Sequence, residues 1–368
     1  MVENREVDLR KELESLKLPD NQNFKPMVFR KSDFEQLADL IKSRRPTLHD
    51  NLESQVKELF KIRNPHQKLD KNQLNEHFAE WSKTNDAKTY GVYAYYPWSN
   101  RLIHLLDEAE FIELRTSRNK HKITEEEQEL LSKKVIGIIG LSVGQSVAMT
   151  AATERVAGTL RIADFDDLEL SNLNRIRTGV HNLGLQKTTM VAREIAELDP
   201  FIKVEVFEKG ITPENIDLFL GSDIKLDLLI EVCDSLPIKI LSRVKARAAQ
   251  IPVLMDTSDR GMVDVERFDI EHDREILHGK VGVESLDDLA KLGPQEMMAL
   301  LMKMVDFENL SPRMKHSFSE LGKTITTWPQ LASDVIVGGG ISTKIARRIL
   351  LGEHIKSNRY YLDRTEEI

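Results

Sequence analysis

The 368-residue sequence contains one cysteine, Cys233. A single thiol excludes an intramolecular disulfide framework and any zinc site built on paired cysteines, and it suits a reducing compartment. No apolar run reaches the ~18 residues that a bilayer span requires. The amino-terminal stretch MVENREVDLRKELE is charged and lacks the apolar h-region of a secretory leader. These absences point to a cytoplasmic protein with no membrane partner. An excess of positive charge is also missing: the formal net charge is -8, which argues against an extended nucleic-acid surface. Internal repeats and low-complexity tracts are absent, and with 40% apolar and 30% charged residues the chain has no room for large-scale disorder. Its length suits a principal domain carrying one or two appendages.

What is there divides into three parts. Residues 1–114 read as an N-terminal α+β extension, with helical segments such as SDFEQLADLIKSR and NLESQVKELFKI preceding the strand-like, aromatic YGVYAYYPWSNRLIHLL. Tyr95, Tyr96 and Trp98 are expected in a core or an interface and not in a ligand cage. In residues 115–275, Thr124 and Glu127 have capping-box spacing, and strands then alternate with helices: VIGIIG, TLRIADF, KVEVFEKG, LDLLIEVCD and IPVLMDT are separated by amphipathic segments. Strand, helix and strand in repetition predict an α/β, Rossmann-like, doubly wound and mainly parallel sheet. Residues 276–368 read as mainly helical. There Met297, Met298, Met302 and Met304 are expected to pack in a core, and DVIVGGGISTKIARRILLG reads as an apolar strand or turn entering a closing helix, with Gly338–Gly340 closely packed at its start.

The chemistry gathers in the middle part. Gly140 and Gly144 lie in GIIGLSVGQS, directly after the first strand and at the mouth of a helix, where peptide N–H groups and the helix dipole face an anion. Ser142 and Gln145 stand where a dinucleotide fingerprint would have glycine. Asp164 ends the next strand, 24 residues beyond Gly140, where an acid accepts hydrogen bonds from a ribose. The stretch ADFDDLELSNLNR then supplies Asp166, Asn172, Asn174 and Arg175, and Lys187 opens the following helix. Several cations around one nucleotide suit a triphosphate whose charge must be managed during reaction. Asp234, at the carboxyl end of LDLLIEVCD, falls at the sheet edge where ligands bind and is a candidate magnesium ligand.

The motifs GIIGLSVG, ADFDDLELSNLNR, LGLQK and VCD occur in the order and approximate spacing of the ThiF/MoeB/HesA family, adenylating modules related to ubiquitin-activating enzymes, and residues 115–275 resemble that family. The resemblance implies binding of Mg-ATP and adenylation of a carboxylate. It implies nucleotide-binding roles for Gly140, Ser142, Gly144 and Asp164, with Asp164 as the ribose-binding acid and Asp166 close by. Asn172, Asn174 and Arg175 would meet the phosphates, Lys187 would steady them, and Asp234 would help to hold Mg2+. It also implies that a basic motif before the first strand sends an arginine into the partner subunit's site. RTSRNK occupies that place, with Arg118 the first candidate and Arg115 the second, so a homodimer is expected.

The chain departs from the family pattern in its depleted glycine loop, in lacking the CxxC pairs of a structural zinc, and in having no thioester cysteine. Cys233, inside an apolar run, is expected to be a small buried hydrophobe. The expected activity is therefore formation of an acyl adenylate without thioester transfer. The acceptor could be a ubiquitin-like or sulfur-carrier protein tail, a peptide, a tRNA modification or a small molecule. Beyond the core, PVLMDTSDRGMVDVERFDIEHDRE continues the sheet and adds Asp256, Asp259 and Arg260. With the N-terminal extension it resembles a narrower bacterial group in which a nitroreductase-like domain often follows. No such domain is read here, so the chain is taken as a stand-alone version or a fragment of a fusion. A nucleotide-binding pseudoenzyme or scaffold subunit is the alternative reading, and an NAD(P)-dependent oxidoreductase, resting on the strand-turn-helix and its acid alone, is a third.

Overall fold

A computed structural model describes residues 22–221, 224–283 and 285–362, so the charged amino-terminal stretch discussed above lies outside the described residues. In the N-terminal part, β1 (Met27–Phe29), β2 (Thr47–Asp50), β3 (Val92–Tyr96) and β4 (Arg101–Leu105) form a four-stranded sheet in the order β1-β3-β4-β2. The aromatic segment is the β3–β4 hairpin of that sheet. Tyr96 is buried and donates its hydroxyl to the Ala196 carbonyl at 3.1 Å, and the Trp98 indole N–H donates to Glu197 at 2.6 Å. The small sheet is thereby seated on helix Lys187–Leu198 of the middle part, and these aromatic residues form an interface.

The second sheet contains β5 (Val135–Ile139), β6 (Thr159–Ala163), β7 (Lys203–Phe207), β8 (Leu228–Glu231), β9 (Val253–Asp256), β10 (Val263–Glu266) and β11 (Asn358–Tyr360). Its order is β11-β10-β9-β8-β5-β6-β7. Strands β5 to β9 run parallel, while β10 and β11 are added antiparallel at one edge. All five residues of β5 are buried, as expected of a central strand covered on both faces. One face carries helices Leu141–Glu154, Lys187–Leu198 and Ala332–Leu350, and the other carries helices Ile216–Leu220, Leu236–Ala248 and Pro294–Met304. This is the doubly wound, mainly parallel α/β architecture that the strand–helix alternation predicts. The Thr124–Glu127 capping box is also present, with each side chain accepting the other residue's N–H.

The closing segment differs from its sequence reading. DVIVGGG is neither strand nor turn but the first half of the continuous helix Ala332–Leu350, and its glycines lie mid-helix. The apolar run looks strand-like because the helix is wedged between helix Leu141–Glu154 and the end of β9. A Cβ on Gly338 would stand 1.9 Å from Asp256 Oδ2, and one on Gly339 would stand 2.3 Å from Ser146 Oγ and 3.0 Å from the Ser146 backbone. Of the four methionines, Met304 is fully buried and Met297 packs against the core, but Met298 is exposed.

Neighbouring glycines of this helix should therefore respond oppositely to substitution. Gly339→Val is expected to lower stability by about 1–3 kcal/mol through overpacking, which outweighs its gain in helix propensity. Gly340 is exposed with no atom within 4 Å of an added Cβ, and Gly340→Ala is expected to raise stability by about 1 kcal/mol. Urea unfolding of both variants checks the pair; equal losses would contradict the packing described.

Candidate active site

The chain leaves β5 in one direction towards β6 and β7, then returns to build β8 and β9 on the other side. The topological switch point therefore lies between β5 and β8, and ligands of such sheets bind there, beyond the carboxyl ends of the strands. Gly140 leaves β5 with φ +89°, and a Cβ at this residue would meet the Cys233 backbone at 2.8 Å. Gly144 allows helix Leu141–Glu154 to approach Ile138 and Val232, with a virtual Cβ 2.8 Å from Ile138. Both glycines are thus required by contacts with protein, and what they hold in place is the first turn of the helix, Ser142 included, against the β8 exit. Gln145, where glycine was expected, is buried and donates to Glu194 at 2.9 Å.

Asp164, at the end of β6, is half-buried and accepts two backbone N–H groups, from Leu141 at 2.6 Å and from Asp166 at 2.8 Å. It ties the glycine turn to the acidic loop. Burial raises its carboxyl above the usual value, against the pull of those two hydrogen bonds. Lys187 is 3% exposed and donates to the exposed Asp166 carboxylate at 2.7 Å. Asn172 is buried and accepts the Glu169 N–H, closing the 3₁₀ turn Leu170–Asn174. Asn174 donates to the Gln330 carbonyl at 2.7 Å and accepts from Arg175 at 2.9 Å, so this amide connects the loop to the C-terminal region. The Arg175 Nε is buried without a partner. Burial lowers the guanidinium pKa, while the charge of Asp234 opposes that effect.

Asp234 lies in the turn after β8, exposed, with no hydrogen bond or ion pair among the described residues. Its turn is held from behind by a charge cluster that sequence reasoning missed. Glu231, fully buried at the end of β8, accepts the Cys233 N–H at 3.0 Å, Lys239 at 3.0 Å and Arg243 at 2.6 Å. Burial alone would raise the Glu231 pKa, but Lys239 and Arg243 outweigh it and hold the carboxyl below its usual value. The signal was present in LDLLIEVCD: an acid inside an otherwise apolar strand demands a buried partner.

Strand β8 ends at Glu231, so Cys233 sits in the following turn, partly buried, and not inside the strand as read from sequence. Burial pushes its thiol well up, reinforced by Glu231. Beside Asp234 a cavity of about 160 Å³ opens between the β8 and β9 ends and the C-terminal region, lined by Val143, Asp256, Met304, Leu310 and Trp328 among others. Asp256, 5% exposed, accepts the Ser258 N–H through Oδ1 and leaves Oδ2 unpartnered. Burial pushes its carboxyl up to about 7.

Two sequence candidates lie elsewhere. Arg118 is exposed in the 3₁₀ turn Ser117–Asn119, and the neighbouring Asn119 donates to Glu154 at the far end of helix Leu141–Glu154. The helix's 14 residues place Arg118 about 20 Å from the glycine turn at 1.5 Å per residue. It borders a separate open groove of about 1230 Å³ with mixed charge. Arg115, the second candidate, is committed within its own chain, donating to the Ala152 carbonyl at 2.8 Å and lying 3.6 Å from Asp199.

The segment that forms this site, residues 116–275, matches the model of the ThiF family. It is a ThiF family domain. The chain is 45% identical over 271 residues to an uncharacterized protein of Mycobacterium tuberculosis, a match covering 74% of this chain and 38% of the relative. It is 26% identical over 155 residues to the tRNA threonylcarbamoyladenosine dehydratase of Bacillus subtilis, covering 42% and 60%. The chain thus spans less than two thirds of either relative. Among solved structures, the E. coli tRNA N6-threonylcarbamoyladenosine dehydratase in complex with ATP aligns at 18% identity and a TM-score of 0.48, covering 67% of this chain and 97% of that one.

Cys233 is partly buried, and burial beside Glu231 pushes its thiol pKa up. Iodoacetamide at pH 7.5 should therefore label native Cys233 at least about tenfold more slowly than the urea-unfolded chain, since the thiolate is the reactive form. Mass spectrometry reads a single site. Equally fast labelling would show an accessible, activated thiol and reopen the thioester reading.

Proposed function

We propose that this protein is a magnesium- and ATP-dependent adenylyltransferase that activates a carboxylate as an acyl adenylate, without a thioester cysteine. The observation that carries the reading is the convergence of Asp164, Lys187, Arg175 and Asp234 on the β5/β8 switch point of a ThiF domain. A pseudoenzyme would have no need to keep both cations and the unpaired carboxylate there.

In this reading Asp164 receives the ribose through its remaining lone pairs, and Ser142 and the adjoining N–H groups of the glycine turn border the phosphates. Lys187 is held ready by Asp166. Ion pairs with an exposed partner contribute only about 0–1 kcal/mol, so phosphate oxygens can take Asp166's place. Arg175, with its orphaned Nε and the Asn174 contact, is positioned for a phosphate oxygen, and Asn172 keeps that turn closed. Asp234 suits a magnesium ligand because its carboxylate is exposed, unpaired and fixed by the Glu231 cluster. When bound, the ion would neutralise triphosphate charge.

A carboxylate with a pKa of about 4 is already ionised at neutral pH and needs no general base. Its oxygen attacks the α-phosphorus, a P–O bond forms, and the bond to the departing pyrophosphate breaks. The residues contribute alignment and charge stabilisation. Because Arg118 lies a helix length from its own site, we assign it to the site of a second copy in a homodimer. The Bacillus subtilis relative is named for a modified tRNA base. A tRNA modification therefore stands beside a protein tail, a peptide and a small molecule as a substrate class.

The test is magnesium-dependent ATP–pyrophosphate exchange across pooled carboxylates. Asp234→Ala and Lys187→Ala are expected to lower exchange at least about 10²-fold, and Arg118→Ala on the order of 10³-fold. Mixing Arg118→Ala with Asp234→Ala should restore about a quarter of wild-type activity, because half of the dimers then contain one complete site. Full exchange in Asp234→Ala would remove the role assigned to Asp234, and absence of magnesium-dependent exchange with every pool would remove the adenylation reading. Failure of the mixture to recover, with each variant still dimeric, would remove the trans role.

A further inference from the structure

Arg118 and the glycine turn stand at opposite ends of helix Leu141–Glu154, and the trans role proposed above, on which this inference rests, needs Arg118 of a second copy at the site. A two-fold rotation that carries one point onto another has its axis through their midpoint. Here that midpoint falls at half the length of the helix, close to Val147. The neighbouring Ser146 stands against Gly339 of helix Ala332–Leu350, so the axis is placed beside that second helix, at the level of Gly340.

The surface at this level is apolar. Residues 335–343 contain no charge, and Ile336 and Val337 are 43% and 50% exposed. Gly340 is exposed beside them, with no atom within 4 Å of an added Cβ. Val337, Gly340 and Lys344 follow one another at spacings of three and four and so share one outward face. Leu331 and Leu170, 62% and 68% exposed, lie at the site end, where Asn174 joins the loop to Gln330. The two ends of this surface carry opposite charge. The turn at the far end exposes Arg118, Lys120, His121 and Lys122, whereas the loop at the site end exposes Asp166, Asp167 and Glu169. Arg118, Lys122 and Asp167 make no ion pair among the described residues. A two-fold contact sets each basic turn against the other copy's acidic loop, and the complementarity is thereby used twice.

The geometry points to the outward face of helix Ala332–Leu350 as the interface with a second copy of this chain. The two helices cross antiparallel at Gly340, whose missing side chain permits close approach. Ile336 and Val337 pack across the axis, and each turn 118–122 meets the acidic loop 166–169 of the other copy.

Sedimentation equilibrium of the full chain, with thiol cross-linking by a short bismaleimide, tests this assignment. In a Cys233→Ser background, Gly340→Cys is expected to cross-link at least about tenfold faster than Met298→Cys, because association makes the step effectively intramolecular. Met298 is exposed on the opposite face of the sheet. Val337→Glu, at an exposed position that leaves the core intact, should raise the dimer dissociation constant at least about tenfold with an unchanged circular dichroism spectrum. Lys122→Glu and Asp167→Lys should each weaken self-association about tenfold and, when mixed, form the heterodimer in preference. Cross-linking no faster at Gly340 than at Met298, or a dimer unaffected by Val337→Glu, overturns this face. A wild-type chain that stays monomeric overturns the interface and the trans role together, and pyrophosphate exchange by that monomer would still uphold adenylation. The expected cross-link and dissociation without exchange in any pool would sustain the interface and count against adenylation.

Discussion

The site depends on a buried arrangement of charge behind it. Arg243, with no exposed surface, bridges Glu231 on β8 and Glu266 on β10 at 2.6 and 2.7 Å. Asp264, on the same strand as Glu266, is held by Arg359 of β11 at 2.7 Å and faces His278 at 3.0 Å. Glu266 also accepts the Leu277 N–H. Removing such charges from water costs several kcal/mol per ion, which only close pairing and further hydrogen bonds can offset. The geometry is therefore narrowly constrained: β8, β10, β11 and helix Leu236–Ala248 must keep their mutual positions or leave a charge uncompensated. The turn bearing Asp234 begins at Glu231 and inherits that rigidity through the Cys233 N–H.

The same constraint explains how the C-terminal region is held against the sheet. Arg359 brings β11 to the sheet edge, and the Arg359 guanidinium also donates to the Lys303 carbonyl at the end of helix Pro294–Met304. Asp259 accepts both the N–H and the hydroxyl of Ser311, at 2.9 and 2.8 Å, anchoring the start of helix Pro312–Glu320. Asn174 reaches Gln330, and Gly338 lies against Asp256. The contacts of Asp259, Asn174 and Asp256 join the C-terminal region to segments at the carboxyl ends of the strands, so the region forms one wall of the cavity and is more than a cover for the hydrophobic face.

Much of this was legible in the sequence because the governing signals are local. Apolar runs bounded by Gly140, Asp164 and Asp234 locate strand ends, and strand ends in a parallel sheet are where the chemistry gathers. Thr124 and Glu127 announce a helix start through their spacing alone. The rest depended on partners distant in sequence. Gly338 and Gly339 read as a turn because nothing in GGG reveals that Asp256 and Ser146 stand against it. Glu231 read as part of an apolar strand because its partners are eight and twelve residues away on a helix and its backbone acceptor role follows from where β8 stops. Asp256 carried no signal of its orphaned oxygen, which follows from the packing of Gly338 against its carboxylate and not from the residue type. The aromatic pair Tyr96 and Trp98 was placed in the right kind of environment, but its contact with Ala196 and Glu197 crosses about a hundred positions of the chain.

Charge is divided across the site in a way that bears on how a substrate would be oriented. On the β6 side stand Lys187 and Arg175, suited to phosphates; on the β9 side stand Asp256 and Asp259, between apolar walls. Asp234 lies between the two sets. A molecule with one anionic end and one neutral end meets attraction at the first set and no penalty at the second, whereas a molecule anionic at both ends is repelled from the second. In a partly enclosed space such potentials are screened less than at an open surface. The rigidity imposed by the Glu231 cluster preserves that gradient, because the position of Asp234 is set by the same buried charges that hold the sheet together.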